Sequence, residues 1–254
     1  MILNDINKHE KDDYITLNEE NHRYNVNGDL NYISTTTLVN MFFKKFDSEK
    51  IIDKMMESKN WSNSKYFGMK KNEIKKQWEE NSLYAIKEGI KLHHDIEYYY
   101  NNIEVNNNSI EYSYFINFVK DHEKLVPYRT EWSIWDEELK ICGTIDMVYQ
   151  NNDGTFSIYD WKRTKEIKKI NIWGETALEK CIEHIQDTNF WHYSIQLNIY
   201  KYLLEKNYEK KIKELYIVCF HPLHKNYKKY KIPNLTNEVS NLFKIRIKEL
   251  KHNI

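Results

Sequence analysis

Residues 142–163 read CGTIDMVYQNNDGTFSIYDWKR. Two apolar runs flank the turn cluster Asn-Asn-Asp-Gly, whose glycine can adopt a positive φ. This pattern predicts a β-hairpin. A three-residue loop sets a register that places Asp146 directly opposite Asp160. Lys162, two residues further on, then lies on the same face of the sheet.

The two aspartates need a compensating positive charge. Burying an unpaired carboxylate in a central strand is very costly, and two carboxylates this close repel one another unless a cation lies between them. Carboxylate oxygens, together with the imidazole of His93 described below, suit Mg²⁺ or Mn²⁺ better than they suit a structural zinc site. We therefore expect a metal site at this hairpin.

A long predicted helix supplies further candidate ligands. Six of its residues are spaced by three or four positions and share one face; they are Leu83, Ile86, Ile90, His93, Glu97 and Tyr100. Four of them are core-like, which predicts a stripe that packs against the core. A lone histidine on such a stripe is more often a satisfied core residue than a ligand. His93 and Glu97, one turn apart, both need partners once buried, and a divalent cation would satisfy them.

Length and composition indicate a globular protein. The chain has 254 residues, of which 41% are hydrophobic, 30% charged and 15% aromatic. A disordered chain lacks the aromatic residues that a core needs. With six glycines, three prolines and no linker-like stretch, we expect a single domain over residues 1–254. Its expected parts are an N-terminal extension (1–68), a core (69–222) and a C-terminal strand and helix (223–254).

Cysteine usage and the N-terminus predict an intracellular protein. Cys142, Cys181 and Cys219 are odd in number and far apart, which favours a reducing compartment without a disulfide framework or a CxxC metal site. No apolar run approaches the length of a membrane span. The first residues are too acidic and too poor in apolar residues for a signal or transit peptide.

The formal net charge of zero conceals an uneven distribution. Residues 162–169 and 224–231 are basic, and residues 136–138 are acidic. Each of these charged runs, taken alone, is explained by a solvent-exposed face of the protein. A basic run directly after the acidic hairpin also suits a phosphate ligand.

The remaining sequence predicts a mixed α/β arrangement in layers. A hairpin around Asn27 and Gly28 (22–34) precedes a helix that begins near Ser34 or Thr35. The other predicted elements are helices at 48–59, 72–100, 109–125, 190–206 and 236–252, and strands at 128–135, 139–150, 155–161 and 214–220.

Four short motifs, in this order, resemble the PD-(D/E)XK nuclease superfamily and specifically its RecB-like branch. They are GIKLHHDIE (89–97), GTIDMV (143–148), IYDWKR (158–163) and QLNIY (196–200). Residues 65–78 are further similar to the segment before the histidine helix in mitochondrial genome maintenance exonuclease and related viral and phage exonucleases. The resemblance implies a restriction-endonuclease-like core, in which helices flank a central mixed sheet.

The resemblance also implies roles for individual residues. His93, Asp146 and Asp160 would bind one or two Mg²⁺ or Mn²⁺ ions, helped by the backbone carbonyl of Trp161. Lys162 would orient or activate the attacking water and stabilise charge on the phosphate. The residues implied to support the ligands are Glu97 and Glu131.

A second group of residues would contact nucleic acid. The candidates are Gln196, Tyr200, Arg163 and Lys165, the last two on the basic run that could follow a DNA backbone. For Tyr200 a place in the core is an equal alternative. The tryptophans available for stacking on bases are Trp161, Trp173 and Trp191, most of which we expect in the core.

The implied function is hydrolysis of DNA phosphodiester bonds. We expect an exonuclease that acts on DNA ends or single strands in replication, repair or recombination, and a viral or phage source fits the similarity at 65–78. A structure-specific endonuclease and a non-cleaving nucleic-acid-binding module of the same fold are the alternatives. The four-cysteine iron–sulfur site of some relatives is missing, so no cluster is expected.

Overall fold

The structure, a computed structural model, describes residues 2–18 and 23–252. Its helices are α1 (Leu3–Ile6), α2 (Thr35–Met41), α3 (Ser48–Met56), α4 (Lys71–Tyr100), α5 (Ile110–Asp121), α6 (Asn189–Asn207) and α7 (Thr236–His252). Its strands are β1 (Ile15–Asn18), β2 (Arg23–Val26), β3 (Ile33–Ser34), β4 (Val126–Asp136), β5 (Ile141–Gln150), β6 (Phe156–Lys162), β7 (Ile212–Cys219) and β8 (Lys228–Lys231). None of these helices combines the length and the apolar composition that crossing a membrane requires.

Strand β5 is the centre of a six-stranded mixed sheet. One edge of β5 pairs antiparallel with β4 over nearly its whole length. The other edge of β5 pairs with two strands. Strand β3 pairs in parallel with Ile141 and Cys142, and β6 pairs antiparallel with residues 147–150. Between them, residues 143–146 have no strand partner on this edge within the described chain. We call these four residues the β5 gap.

Helices cover both faces of the sheet. One face packs against α2, α6 and α7 through a largely aliphatic cluster, and the other packs against α4 and α5 through a largely aromatic one. Leu92 and Ile96 of α4 are buried in the aromatic cluster, beside Phe115 and Phe118 of α5. The predicted fold class is confirmed: the chain is a mixed α/β structure whose central mixed sheet is flanked by helices.

Two helices meet β5 at the gap. The Thr35 hydroxyl, at the start of α2, donates a hydrogen bond to the Cys142 carbonyl oxygen over 3.0 Å. Tyr200 of α6 packs so closely on Gly143 that a Cβ there would lie 2.7 Å from the tyrosine ring and 3.0 Å from Thr35 Oγ1. The close approach of α2 and α6 to the sheet therefore requires glycine at position 143.

The hairpin predicted at 22–34 is wrong in its pairing. Asn27 and Gly28 form the expected turn, with φ values of 53° and 82°, but among the described residues only a single bridge, between Val26 and Asp29, joins its two sides. Strand β2 pairs instead with β1, and β3 adds to the edge of β5. Turn chemistry specifies a reversal of the chain, whereas strand pairing depends on which edge offers burial. His22 lies outside the described residues.

The apolar stripe predicted on the long helix is buried in its C-terminal part only. Leu83, Ile86 and Ile90 are 67%, 55% and 51% exposed, so the prediction that they pack in the core is wrong. Helix α4 instead reaches from the main core to a small cluster around Ile52 and Ile74, and its middle is solvated. Spacing shows which residues share a face, but it does not show whether another element covers that face.

Replacing Gly143 with Ala should destabilise the protein by about 1–3 kcal/mol, because the added methyl group overlaps the Tyr200 ring. Gly89→Ala is the matched control, since Gly89 lies in α4 with nothing within 4 Å of an added Cβ. That change should be neutral or stabilise by up to about 1 kcal/mol. Urea unfolding of both variants measures the difference, and equal stabilities would show that α6 does not depend on the contact.

Candidate active site

Asp146 lies at the end of the β5 gap, where β5 and β6 separate. The predicted hairpin register is confirmed from Gln150↔Phe156 to Met147↔Tyr159. Asp146 and Asp160 would form the next pair, but the ladder ends before them. Instead, Asp146 Oδ2 accepts a hydrogen bond of 2.7 Å from the Trp161 backbone N–H. The Asp146 carboxylate thus accepts the hydrogen bond that a backbone carbonyl of a neighbouring strand would accept in a continuous ladder.

Glu131 lies on the opposite side of Asp146, on β4. It falls between the pairs Thr130↔Met147 and Trp132↔Ile145, so the register places it across from Asp146. Its φ of 42° is in the left-handed region, which a side chain other than glycine adopts at some cost. Adjacent strands β4, β5 and β6 therefore carry a row of carboxylates, those of Glu131, Asp146 and Asp160.

His93, from α4, closes the site over this row. Its Nδ1 lies 3.6 Å from Glu131 Oε1 and 3.7 Å from Asp146 Oδ2, and its Nε2 lies 3.0 Å from the Trp161 carbonyl oxygen. Burial lowers the pKa of His93, but the charges of Asp146 and Glu131 outweigh it and raise the pKa to about 9. At neutral pH the imidazolium therefore supplies the positive charge that these carboxylates need.

Asp160 and Lys162 form a second charged unit on β6. Lys162 Nζ lies 2.6 Å from Asp160 Oδ2, and the Lys162 ammonium also lies 4.9 Å from the centre of the Tyr193 ring. Burial raises the pKa of Asp160 to about 6, although Lys162 opposes the rise. Burial also lowers the pKa of Lys162, but Asp160 and Asp146 outweigh it, so the pKa is raised and the lysine stays protonated.

The donor atoms suit a hard divalent cation. One ligand atom each from His93, Glu131 and Asp146 all lie within 4.8 Å of one another. Buried Asp160 Oδ2 has its ion pair with Lys162 but no well-oriented hydrogen bond from the described residues, which leaves it able to accept a further partner. Carboxylate oxygens with one imidazole match the preferences of Mg²⁺ and Mn²⁺.

Glu131 stands closer to the centre of the site than the sequence predicts. The resemblance gives it a supporting role, whereas the structure groups it with His93 and Asp146. The pairing of β4 with β5 shifts between Pro127 and Arg129. This shift lies beyond Glu131 as counted from the β4–β5 turn, so the pairs on either side of Glu131 keep the register set at that turn. The sequence does not show the left-handed backbone of Glu131 itself. The signal that could identify Glu131 is an acidic side chain in the middle of a strand, between the uncharged residues Thr130 and Trp132.

Gln196 and Tyr200 of α6 lie at the β5 gap. Gln196 Nε2 donates a hydrogen bond of 2.9 Å to the Tyr200 hydroxyl. Tyr200 is buried within the aliphatic cluster, and its hydroxyl packs over Gly143. Its ring is thus a core aromatic, while Gln196 remains half-buried at the edge of the site.

The other predicted residues differ in accessibility. Arg163 is tied to Glu111, with both Nε and Nη2 lying 2.8 Å from Glu111 Oε1, and its side chain is 8% exposed. Lys165 is exposed. Glu97 is half-buried on α4, one turn after His93. Trp161 contributes its carbonyl oxygen to the site, while its ring is buried in the aromatic cluster.

Comparison with known proteins gives a family match. Residues 56–254 match the profile of the PD-(D/E)XK nuclease superfamily. No curated protein gives a significant match.

Two solved structures are similar at low sequence identity. One is the structure of SSO0001, with 14% identity, a TM-score of 0.36, and coverage of 87% of this chain and 76% of the other. The second is a protein from Eubacterium rectale named "Putative exonuclease", with 14% identity, a TM-score of 0.40, and coverage of 88% and 82%.

Replacing His93 with Gln should destabilise the metal-free protein at neutral pH. Because the pKa of His93 is raised from 6.5 to about 9 on folding, its stabilising effect is complete below pH 6.5 and is lost as pH rises through 9. In chelator, His93→Gln should therefore cost roughly 1–3 kcal/mol at pH about 7 and almost nothing at pH about 10. Urea melts at both pH values measure the difference.

The exposed neighbour His94 provides the control. His94→Gln should cost little stability in the same melts, because the side chain that it removes is exposed. If His93→Gln costs the same stability at both pH values, the imidazolium does not balance the carboxylates, and His93 is an ordinary packed residue.

Proposed function

Since this chain belongs to the PD-(D/E)XK nuclease superfamily, we propose that it is a deoxyribonuclease that depends on Mg²⁺ or Mn²⁺. The observation that carries the proposal is the grouping of His93, Glu131 and Asp146 within one cation's reach, beside the Asp160–Lys162 ion pair. Membership of a nuclease family implies phosphodiester hydrolysis, and this grouping supplies the residues that such hydrolysis needs.

The proposed ligands are His93, Asp146, Asp160 and the Trp161 carbonyl, with Glu131 as an additional carboxylate ligand. A divalent cation held by these groups would neutralise charge on the phosphodiester and make a bound water more acidic. Oxygen donors from three strands and a nitrogen donor from α4 converge here, so the sheet and the helix together fix their positions.

Lys162 is proposed as the catalytic residue whose positive charge acts beside that of the metal ion. Its ammonium is held against Asp160 and the Tyr193 ring, which limits its freedom before substrate binds. An ammonium in this position can hydrogen-bond to a phosphate oxygen, orient the attacking water and stabilise the charge that develops in the transition state. Its side chain is largely buried but remains 20% exposed, which leaves the ammonium accessible from the site.

The proposed substrate is DNA with free ends or single-stranded regions, and the proposed activity is that of an exonuclease in replication, repair or recombination. The basic run that follows Lys162 directly in sequence supports this, because it carries exposed lysines such as Lys165 and Lys168 that could contact a DNA backbone. The motifs around His93, Asp146, Asp160 and Gln196 support a place in the RecB-like branch.

We also propose that residues 1–254 form one domain. The N-terminal segment packs directly on the sheet: Asn7 Nδ2 donates to the Tyr128 carbonyl over 2.7 Å, and Arg129 forms an ion pair with Asp12. Leu3 N–H donates to Asn101 Oδ1 over 2.7 Å, which ties α1 to the end of α4.

Lys162→Ala should reduce cleavage of labelled DNA by about 10²- to 10³-fold, as expected for the loss of a preorganised charge at the phosphate. The variant should still fold in the presence of Mg²⁺, as judged by circular dichroism, because a bound cation balances the carboxylates that Lys162 otherwise balances. Lys213→Ala removes an exposed lysine that pairs with Asp153 on the surface and should cleave like the wild type. Wild-type turnover by Lys162→Ala would remove this lysine from the mechanism.

Linear and covalently closed single-stranded DNA distinguish the modes of action. With Mg²⁺ or Mn²⁺, the linear strand should be degraded and the circle spared, and chelator should stop the reaction. Cleavage of the circle would identify an endonuclease instead. Binding of both DNAs with no cleavage at any metal concentration would identify a non-cleaving module.

A further inference from the structure

The segment after β6, residues 163–175, is fixed to the start of α6. We call it the basic segment. Asn189 Nδ2 donates to the Glu166 carbonyl over 2.8 Å, and Lys168 N–H donates to Asn189 Oδ1 over 2.9 Å. The Trp191 indole N–H donates to the Lys169 carbonyl over 3.0 Å. Three successive contacts thus hold a stretch that has no helix or strand of its own.

The tip of the basic segment is a defined turn. Asn171 N–H donates to Gln186 Oε1 over 2.6 Å, and Asn171 Nδ2 donates to the Asp187 carbonyl over 2.7 Å. Asn171 Oδ1 accepts the Trp173 N–H over 2.8 Å, and Gly174 follows with a φ of 70°. These contacts fix the backbone of the turn that carries Trp173.

This anchored tip exposes large apolar side chains. Ile172 is 83% exposed and Trp173 is 82% exposed. Of the three tryptophans considered for stacking, Trp161 is buried and Trp191 uses its indole N–H on the segment itself, so Trp173 has the free ring. A ring of this size gains considerable free energy on contact with an apolar or aromatic partner.

The charge of the basic segment favours an anionic partner. It carries four basic and two acidic residues. Arg163 pairs with Glu111, Lys168 with Glu166 at 3.7 Å, and Glu175 with Lys44 at 3.2 Å, so the unbalanced positive charge is that of Lys165 and Lys169. In the described chain no carboxylate lies within ion-pair distance of Lys165. A groove of about 720 Å³ runs along the segment between residues 166–173 and the start of α6.

The basic segment begins beside the proposed catalytic lysine. Arg163 follows Lys162 directly in sequence. Asn189, the anchor on α6, precedes Tyr193 by one helical turn, a rise of about 6 Å. Tyr193 is the ring over which Lys162 Nζ lies at 4.9 Å. A strand whose phosphate reached Lys162 could therefore continue along this segment.

We infer that the basic segment is a single-strand platform, on which Trp173 stacks against a nucleobase while the lysines contact the phosphates. This inference rests on the proposed nuclease function and adds the element that selects single strands. A base offers its face to an aromatic ring only when it is not paired and stacked within a duplex, so the platform favours single-stranded over duplex substrate.

The test compares binding of single-stranded and duplex DNA in chelator, where cleavage is prevented. Trp173→Ala should weaken binding of a labelled oligothymidylate by about 5- to 100-fold and binding of a blunt duplex by less than about threefold. Trp173→Phe retains a ring and should recover most of the single-strand affinity. It should also remove most of the quenching of tryptophan emission that the oligonucleotide causes in the wild type.

Tyr14→Ala is the matched control, because it removes an exposed ring outside the basic segment. It should bind both DNAs like the wild type. Unchanged single-strand binding by Trp173→Ala would overturn the inference, and so would equal losses for single strand and duplex. A shift of Trp173 emission with anionic phospholipid vesicles but not with DNA would assign the tip to a membrane surface and also overturn it.

Failure of this inference and failure of the proposed function give different results. If the wild type cleaves DNA and Trp173→Ala binds normally, only the platform is refuted. If the wild type neither binds nor cleaves any DNA with Mg²⁺ or Mn²⁺, the proposed function is refuted and the platform with it.

Discussion

Three carboxylates stand side by side on adjacent strands, and the site is organised around the balance of their charge. Glu131, Asp146 and Asp160 come from β4, β5 and β6, and burial raises the pKa of both aspartates. His93 and Lys162 supply the two cations that make this arrangement tolerable. A divalent cation in the site would take over part of this role, and His93 would then have to release its proton to become a ligand.

The β5 gap allows such a site to exist inside a sheet. A fully paired strand would commit its backbone groups to its neighbours and direct alternate side chains into packed layers. Where β3 and β6 leave β5 uncovered, Asp146 can instead bind the Trp161 N–H, and α2 and α6 can approach the strand. The close fit of Tyr200 on Gly143 fixes that approach. Residues distant in sequence thereby reach one small volume, while two packed layers hold their backbones in place.

Local patterns predicted much of this arrangement, and what they missed depends on tertiary contacts. The hairpin register followed from turn length and is present from Met147 to Gln150. The end of that ladder at Asp146 could not be predicted, because it results from a side chain competing for a backbone donor. The position of Glu131 in the site depends on its left-handed backbone, with a φ of 42°, and Leu83 is exposed because no described element covers the middle of α4. Neither leaves a periodic signal in the sequence.

An acidic site must still admit a polyanion, and the distribution of charge explains how this chain can do so. Because its net charge is zero, the protein as a whole does not attract a polyanion over a long distance. The carboxylates, however, are largely shielded: Asp146 and Asp160 have side chains that are 10% and 4% exposed, and each faces a cation. The exposed charges that follow Lys162 in sequence are the lysines of the basic segment, and the two acidic residues of that segment already have lysine partners. An approaching phosphate backbone would therefore meet positive charge first and the carboxylates only at the reaction centre, where a divalent cation would offset them.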